Sequence, residues 1–443
     1  MRVGILGFGN ENRALLKFLK KEKVYKNAEF WILDKNKNLK LPKGVKSILG
    51  ENYLKDLNQF DIIFRSPGVP YNLKELVSAR KKGIKISSAI KLFFEKASKK
   101  TKNIIGVTGT KGKSTTSTLI YKILKSAGKK AILAGNIGKS PLDYLNKITK
   151  NTFVVLELSS FQLQDLQFSP HIAIILDVFP DHQDSHSSLK EYFDAKSNIC
   201  KHQNKNDIVF YFENNPNSKK IAFKSKGKKM AVSEKNFTLF NLNDLKIKGW
   251  HNFLNAIIAS NVALYLKIPP KIILKTVKNF KGLNYRIQFV RKIKLNKNQF
   301  IEFYNDSAST NPGAGIACVL SFPQKQKIII LGGKDKNLDY TPLAKKIKKL
   351  EKEIPYILLF GENKNKIYKS LKKEGTRSKI VIKNNLKEVV LNAKKLAVQF
   401  LKQNPSCKEI IILFSPSSTS FDMFLNYKKR GEEFKKIVLN LKK

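Results

Sequence analysis

Residues 106–117, GVTGTKGKSTTS, set glycines at Gly106, Gly109 and Gly112 just ahead of Lys113 and Ser114. A strand, a glycine-rich turn and a helix start aim backbone N–H groups and the positive end of a helix dipole at one point, which suits an anion. The run before it ends in Ile104 and Ile105, and TLIYKILKSAG after it has helical apolar spacing. Lys113 is expected to reach the outer phosphates of a nucleotide and Ser114 to offer its hydroxyl to Mg2+. The general phosphate-loop form has glycine where this chain has Val107, so the match is to a variant. ATP is the expected ligand, held by Gly109, Thr110, Lys111, Gly112, Lys113, Ser114 and Thr115.

Two other clusters could act on such a nucleotide. Glu157 ends the apolar run FVVLE, and a carboxylate there suits Mg2+, a hard cation that prefers oxygen. Taken alone, a solvated strand end explains Glu157 equally well. DVFPDHQDSH collects Asp177, Asp181, His182, Asp184 and His186 in a chain with five histidines, which favours a site over a loop. No cysteine or paired-histidine spacing accompanies them, which argues against zinc. Near the start, Gly7-x-Gly9-x-x-Asn12 nearly matches a dinucleotide fingerprint, with Asp34 closing the next strand. Asn12 in place of the third glycine argues against NAD, while Asp34 still suits a ribose or a base edge.

The elements that must position these residues read as α/β throughout. RVGILGFG, AEFWILD and FDIIFRSPGVP read as strands with the helix ENRALLKFLKK between the first two, the pattern of a parallel sheet with crossover helices. FEKASKKTKN reads as a linker into a second segment with strands TFVVLELSS and HIAIILDVF. There, a basic, poorly patterned stretch near 214–248 precedes the helix HNFLNAIIASNVALYL. A third segment from Arg286 has buried strands IIILGG, YILLFG and EIIILFSPSS. The expected architecture is three domains: Rossmann-like over 1–97, a P-loop ATPase-type centre over 98–285, and Rossmann-like again over 286–443. No internal repeat is visible.

Composition bounds the function. At 443 residues the chain is too long for one core, and its 42% hydrophobic content fits a soluble globular protein. No apolar run reaches the roughly 20 residues of a membrane helix. MRVGILGFGN reads as strand and turn rather than a signal peptide. Cys200, Cys318 and Cys407 lie far apart without metal-ligand spacing, which fits a reducing cytoplasm. A net charge of +51 raises a nucleic-acid role, but only eight of the 85 basic residues are Arg and the lysines are spread evenly. Arg is the residue favoured for bidentate phosphate and guanine contacts, so no nucleic-acid partner is expected.

GVTGTKGKSTT, GNIG, ELSSFQL, DHQD, FDAK, HNFLNA, NDSASTNP, LGGKDKNLDY and SPSSTSFDMF occur in this order along the chain. The series resembles the Mur ligases over essentially the whole length, and ELSSFQL with SPSSTSFD resembles the members that add D-glutamate. The resemblance implies a cytoplasmic, monomeric ligase of peptidoglycan precursor synthesis that joins D-glutamate to UDP-N-acetylmuramoyl-L-alanine. ATP would convert the substrate carboxylate to an acyl phosphate, which the incoming amine attacks.

By motif, the resemblance gives catalytic roles to Lys113, Glu157, His182 and Lys196. One Mg2+ would lie on Ser114 and Glu157, and a second on His182 and on Lys196 as a CO2-derived carbamate. Gly7, Asp34, Ser66 and Gly68 would seat the UDP, and Asn136, Ser159 and Gln162 the muramoyl-alanine end. Asn252 and Asn255 would meet adenine, with Arg286 and Asp306 reaching ATP from the third domain. D-glutamate would fall to Thr310, Lys336, Ser420 and Tyr427. Ordinary surface placement competes for Lys336 in so lysine-rich a chain, and helix-face placement for Asn252 and Asn255. Ala308 stands where the family frequently has lysine, which removes one positive charge from that end of the site. Folylpolyglutamate synthetase shares the phosphate loop, but ELSSFQL and the UDP-type first domain weigh against it. A basic P-loop ATPase acting on nucleic acid is the alternative from another class.

Overall fold

The computed structural model describes residues 1–180 and 186–442. Three sheets follow one another along the chain. The first comprises β1 (Arg2–Leu6), β2 (Glu29–Asp34), β3 (Lys46–Leu49), β4 (Ile62–Arg65) and β5 (Lys85–Ser87), all parallel, in the order β3-β2-β1-β4-β5. Helices cover such a sheet on its faces, so its central strands are apolar runs rather than alternating ones. The chain steps outward from β1 to β3 and then returns to β4. That reversal opens a crevice at the carboxyl ends of β1 and β4.

The second sheet holds β6 (Ile104–Thr108), β7 (Ala131–Gly135), β8 (Phe153–Glu157), β9 (Ile172–Ile175), β10 (Ile208–Phe212) and β11 (Lys228–Val232). It is all parallel, in the order β11-β10-β9-β6-β8-β7. β6 lies between β8 and β9, so the glycine turn leaving β6 emerges beside Glu157 on one side and the segment after β9 on the other. The third sheet holds β12 (Gln288–Lys294), β13 (Phe300–Asn305), β14 (Lys327–Gly332), β15 (Tyr356–Phe360), β16 (Lys379–Ile382) and β17 (Glu409–Phe414). Its order is β12-β13-β17-β14-β15-β16, with only β12 antiparallel to its neighbour.

The chain forms two compact units, one of residues 1–240 with 254–277 and the other of 241–253 with 278–443. In the first, one apolar cluster runs from Leu15, Leu19 and Phe93 to Leu142, Leu158 and Leu166, joining the first sheet's helices to the second sheet. The stretch near 214–248 is more regular than its sequence reads, for it contains the helix Pro216–Ala222 and the edge strand β11. β11 buries only Val232, so its lysines face water and hide the strand period. β12 and β13 also precede the first strand read from sequence in the third segment.

Arg65 ends β4 almost fully buried, at 1% exposure. Nη1 donates to Val69 O at 2.6 Å, and Nη2 to Phe161 O at 3.1 Å and Asp165 Oδ1 at 3.3 Å. This ion pair ties the first sheet's β4 to the ELSSFQL region. Removing one partner of a buried pair strands the other charge and typically costs about 3–5 kcal/mol. Arg65→Met is therefore expected to lower unfolding stability by that order in urea titrations, and Arg65→Met with Asp165→Leu to recover most of it. Arg65→Met and Asp165→Leu single variants that each match wild type would contradict this account.

Candidate active site

The turn between β6 and the helix Lys113–Ser126 depends on two glycines. Gly109 has φ +152°, and a Cβ there would lie 2.7 Å from Leu176 Cβ. Gly112, the helix N-cap, has φ +85°, and its Cβ would lie 2.2 Å from Asn255 Oδ1. Both therefore exclude side chains by conformation and by space. Gly106 serves differently: it lies inside β6, where a Cβ would meet Pro170 at 2.7 Å, so it packs the strand rather than facing a phosphate. Thr110 pins the turn sideways. Its N–H donates to Asp177 O at 2.8 Å and its Oγ1 lies 2.9 Å from the Tyr192 hydroxyl.

Two ammonium groups meet at this turn. Lys113 Nζ donates to Gly109 O at 2.8 Å and Thr110 O at 3.0 Å. Lys196, from the helix Leu189–Lys201, is 2% exposed, and its Nζ donates to the same Gly109 O at 3.0 Å. The Tyr192 ring lies 4.6 Å from that nitrogen. Ser114 and Thr115 open the helix beyond Lys113, and Lys111 is exposed at the turn.

Glu157, 2% exposed, ends β8 next to β6. Its Oε1 accepts from Asn136 Nδ2 at 2.9 Å, while Oε2 is buried without a hydrogen-bond partner. The Asn136 N–H also donates to Glu157 O at 2.9 Å, so the GNIG turn clasps the strand end. Such a buried, half-satisfied carboxylate fits a cation ligand. Of the DHQD cluster, His182 lies outside the described residues, as do Asp181 and Asp184. Burial raises the Asp177 carboxyl above its ordinary range, opposed by a hydrogen bond from Asn215. His186 is packed rather than presented, stacked on Phe161 at 5.1 Å with Nε2 3.1 Å from Ser160 Oγ.

Asn255 and Asn252 sit on the helix Trp250–Tyr265. Asn255 Oδ1 accepts from Thr116 Oγ1 at 3.2 Å, so it also holds the phosphate turn in place. Asn252 Nδ2 donates to Lys248 O at 2.8 Å.

Gly7, Asp34, Ser66 and Gly68 gather at the carboxyl ends of β1, β2 and β4. Gly7 has φ +77°, and its N–H donates to Leu33 O at 2.8 Å. Asp34 Oδ2 accepts from Phe8 N at 2.6 Å, and Ser66 N donates to Leu6 O at 2.8 Å. Nothing lies within 4 Å of a Cβ built on Gly68. Asn12 completes the turn: its Nδ2 donates to Gly7 O at 2.8 Å, Leu6 O at 3.2 Å and Phe64 O at 3.3 Å.

Ser159 and Gln162 form a reciprocal capping box, with Gln162 N donating to Ser159 Oγ at 3.2 Å and Ser159 N to Gln162 Oε1 at 3.1 Å. Gln162 Nε2 then donates to Glu11 Oε2 at 3.1 Å, while Glu11 Oε1 is buried without a partner. Sequence reading passed over Glu11, because its partner is 151 positions away.

In the second unit, Asp306 Oδ1 accepts from Ile287 N and Oδ2 from Ser415 Oγ, each at 3.2 Å. Burial pushes its carboxyl up to about 7, against the pull of the Arg286 guanidinium and these hydrogen bonds. Ser420 is buried, Thr310 half-buried and Lys336 exposed, with its Nζ 6.0 Å from the Phe421 ring centre. Tyr427 opens the helix Tyr427–Leu439. Thr310, Lys336 and Ser420 thus sit on loops leaving β13, β14 and β17, three neighbouring strands.

Residues 107–263 match the Mur ligase middle domain, and residues 1–88 match the MurD-like N-terminal domain of Mur ligases. UDP-N-acetylmuramoylalanine–D-glutamate ligases from Clostridium acetobutylicum and Acetivibrio thermocellus are 33% and 35% identical to the chain. The alignments cover 100% and 99% of this chain and 97% and 96% of those proteins. The structure of MurF ligase from Thermotoga maritima in complex with ADP has the same fold at a TM-score of 0.58. It is 16% identical, over 99% of this chain and 95% of that one.

Burial raises the Glu11 carboxyl from 4.5 to about 7, opposed by the Gln162 hydrogen bond and the Arg65 charge. The folded state thus holds a proton that the unfolded chain releases between those values. Its stabilising effect is full below pH 4.5 and is lost as pH rises through about 7. Wild type is expected to lose melting temperature over that window relative to Glu11→Gln, which keeps the shape without titrating. Melting curves that run parallel for the two proteins would refute the assignment.

Proposed function

The chain belongs to the Mur ligase family, and on that premise we propose that it joins D-glutamate to UDP-N-acetylmuramoyl-L-alanine with cleavage of ATP to ADP and phosphate. The observation that carries this reading is the phosphate turn itself, where Lys113 and Lys196 converge on Gly109 O beside the half-satisfied carboxylate of Glu157. A substrate carboxylate oxygen attacks the γ-phosphorus of ATP, the bond to the bridging oxygen breaks, and ADP leaves. The amine of D-glutamate then attacks the acyl-phosphate carbon, phosphate departs with the bonding pair, and the new amide nitrogen loses its proton. Phosphorylation turns a poor leaving group into a good one.

Lys113 would exchange its backbone carbonyls for phosphate oxygens and follow charge onto the leaving groups. Ser114 and Glu157 would hold Mg2+, which neutralises phosphate charge when bound. His182 and Lys196 would hold a second Mg2+. An ammonium has no lone pair for a metal, so Lys196 joins only after its neutral amine adds to CO2, releasing a proton and leaving an anionic carbamate. Its burial at the turn and its place in FDAK support that reading.

Residues 1–97 would form the UDP domain, with Gly7, Asp34, Ser66 and Gly68 at the nucleotide. The domain 98–285 would bind ATP, with Asn252 and Asn255 toward adenine and Asn136, Ser159 and Gln162 toward the muramoyl-alanine end. In 286–443, Thr310, Lys336, Ser420 and Tyr427 would hold D-glutamate, and Arg286 and Asp306 would serve ATP. Charge-assisted bonds from a lysine and hydroxyls suit a dicarboxylate. No helix among the described residues is long and apolar enough to cross a membrane, and the substrates are water-soluble. The proposed setting is the cytoplasm, with the enzyme acting as a monomer.

ADP release is expected to require both UDP-N-acetylmuramoyl-L-alanine and D-glutamate, with the product checked by mass spectrometry. L-glutamate is expected to be inactive, since inversion misplaces the amine or a carboxylate; equal turnover with it removes the D-glutamate assignment. Lys196→Ala is expected to lose nearly all turnover while ATP binding survives, with partial rescue by acetate. A Lys196→Ala enzyme with wild-type kcat would end the carbamate proposal.

A further inference from the structure

Arg430 is 0% exposed on the helix Tyr427–Leu439, and the charges of Asp422 and Asp306 act on it without either making a hydrogen bond to it among the described residues. Its guanidinium instead grips the backbone of two loops. Nε donates to Ser307 Oγ at 3.1 Å, and Nη2 to Ser307 O and Ser418 O, each at 2.9 Å. Nη1 donates to Thr419 O at 3.2 Å, the same oxygen that accepts from Lys334 N at 2.9 Å. The grip therefore extends to the loop after β14, and a Cβ on Gly333 would lie 3.0 Å from Nη1.

The gripped residues are close neighbours of the proposed amino-acid ligands. Ser307 precedes Thr310 on the loop after β13, Ser418 and Thr419 precede Ser420 after β17, and Lys334 precedes Lys336 after β14. Tyr427 lies one turn before Arg430, and Tyr427 O accepts from Ser307 Oγ at 2.8 Å. A second tie reinforces the same point: Ser418 Oγ lies 2.7 Å from both the Tyr340 hydroxyl and Asn363 Nδ2.

We propose that Arg430 is the positioning residue of the amino-acid subsite, fixing the loops of Thr310, Lys336 and Ser420 in register for a dicarboxylate. The inference rests on the proposed placement of D-glutamate. A rigid fork of donors bonds several carbonyls at once in a way a lysine ammonium cannot. Burial lowers the group to about 10, opposed by the charges of Asp422 and Asp306, so it stays charged at neutral pH. Ala308 adds no positive charge to the loop that Arg430 holds, which opens with the buried Asp306.

The test is a comparison of KM values for D-glutamate, ATP and UDP-N-acetylmuramoyl-L-alanine in wild type, Arg430→Lys, Arg430→Met and Ser307→Ala. Loss of charge-assisted hydrogen bonds corresponds to roughly ten- to a hundredfold. Arg430→Lys is expected to raise the D-glutamate KM by that order and leave the other two nearly unchanged, with Arg430→Met worse than Lys. If the Arg430 variants unfold, Ser307→Ala is expected to show the same split at smaller size. An unchanged D-glutamate KM, KM values that rise together, or equal effects of Lys and Met would overturn the proposal. A wild type inactive with D-glutamate would instead sink the substrate assignment, and the same KM split, read with the amino acid it does accept, would then decide the role of Arg430.

Discussion

The carbonyl oxygen of Gly109 accepts from two lysine ammoniums at once, and the first unit is arranged around that convergence. Lys113 also reaches Thr110 O, so the turn gathers positive charge and carbonyl acceptors at one point. A glycine turn at a helix start with two lysines beside it has the make-up of an anion site. It also dictates local structure. Gly109 must adopt φ +152° to turn its carbonyl, and the helix Leu189–Lys201 must pack so that Lys196 reaches inward. Thr110 is held against Asp177 O and Tyr192 so that the turn cannot swing away.

The same logic repeats at the other sheets. In each, polar residues stand at the carboxyl ends of parallel strands, where loops are free of ladder bonds and their N–H groups can face a ligand. Gly7 after β1 and Gly333 after β14 take positive φ there, as Gly109 does after β6. Buried polar groups stand behind these turns. Asn12 ties three carbonyls behind the first turn, Asn255 backs the second, and Arg430 backs the third. Ligand-facing loops need such support because their own backbone makes few regular hydrogen bonds.

What the sequence disclosed and what it hid follow from separation along the chain. The phosphate turn was legible because its chemistry sits within a dozen contiguous residues, and the strands β1, β6, β8, β14 and β17 because each is a buried apolar run. Pairs such as Arg65 with Asp165, Glu11 with Gln162 and Asn255 with Thr116 lie 100, 151 and 139 positions apart and leave no local pattern. Asn12 shows how this misleads. Read locally it is a glycine missing from a fingerprint; in the fold it is the carboxamide that closes the turn. Edge strands were hidden for another reason. β11 and β12 bury few side chains, and without burial the alternation that marks a strand has no cause.

Basic residues separate by type along the same line. Among the described residues, Arg65, Lys196, Lys327 and Arg430 are the fully buried cations of the Lys and Arg set. Two of the four are arginines, although only eight of the 85 basic residues are Arg. Lysine's compact, strongly hydrated charge is cheap to leave in water, whereas a guanidinium can satisfy several carbonyls in one plane. The buried lysines have specific employment: Lys327 pairs with Glu353, and Lys196 reaches the phosphate turn. A net charge of +51 therefore says little about partners, since most of it sits on solvated lysines that salt screens. The informative basic residues are the few removed from water, because each must be compensated by named oxygens, and for Arg65, Lys196 and Arg430 those oxygens belong to loops at the carboxyl ends of the strands or to the segment after β8.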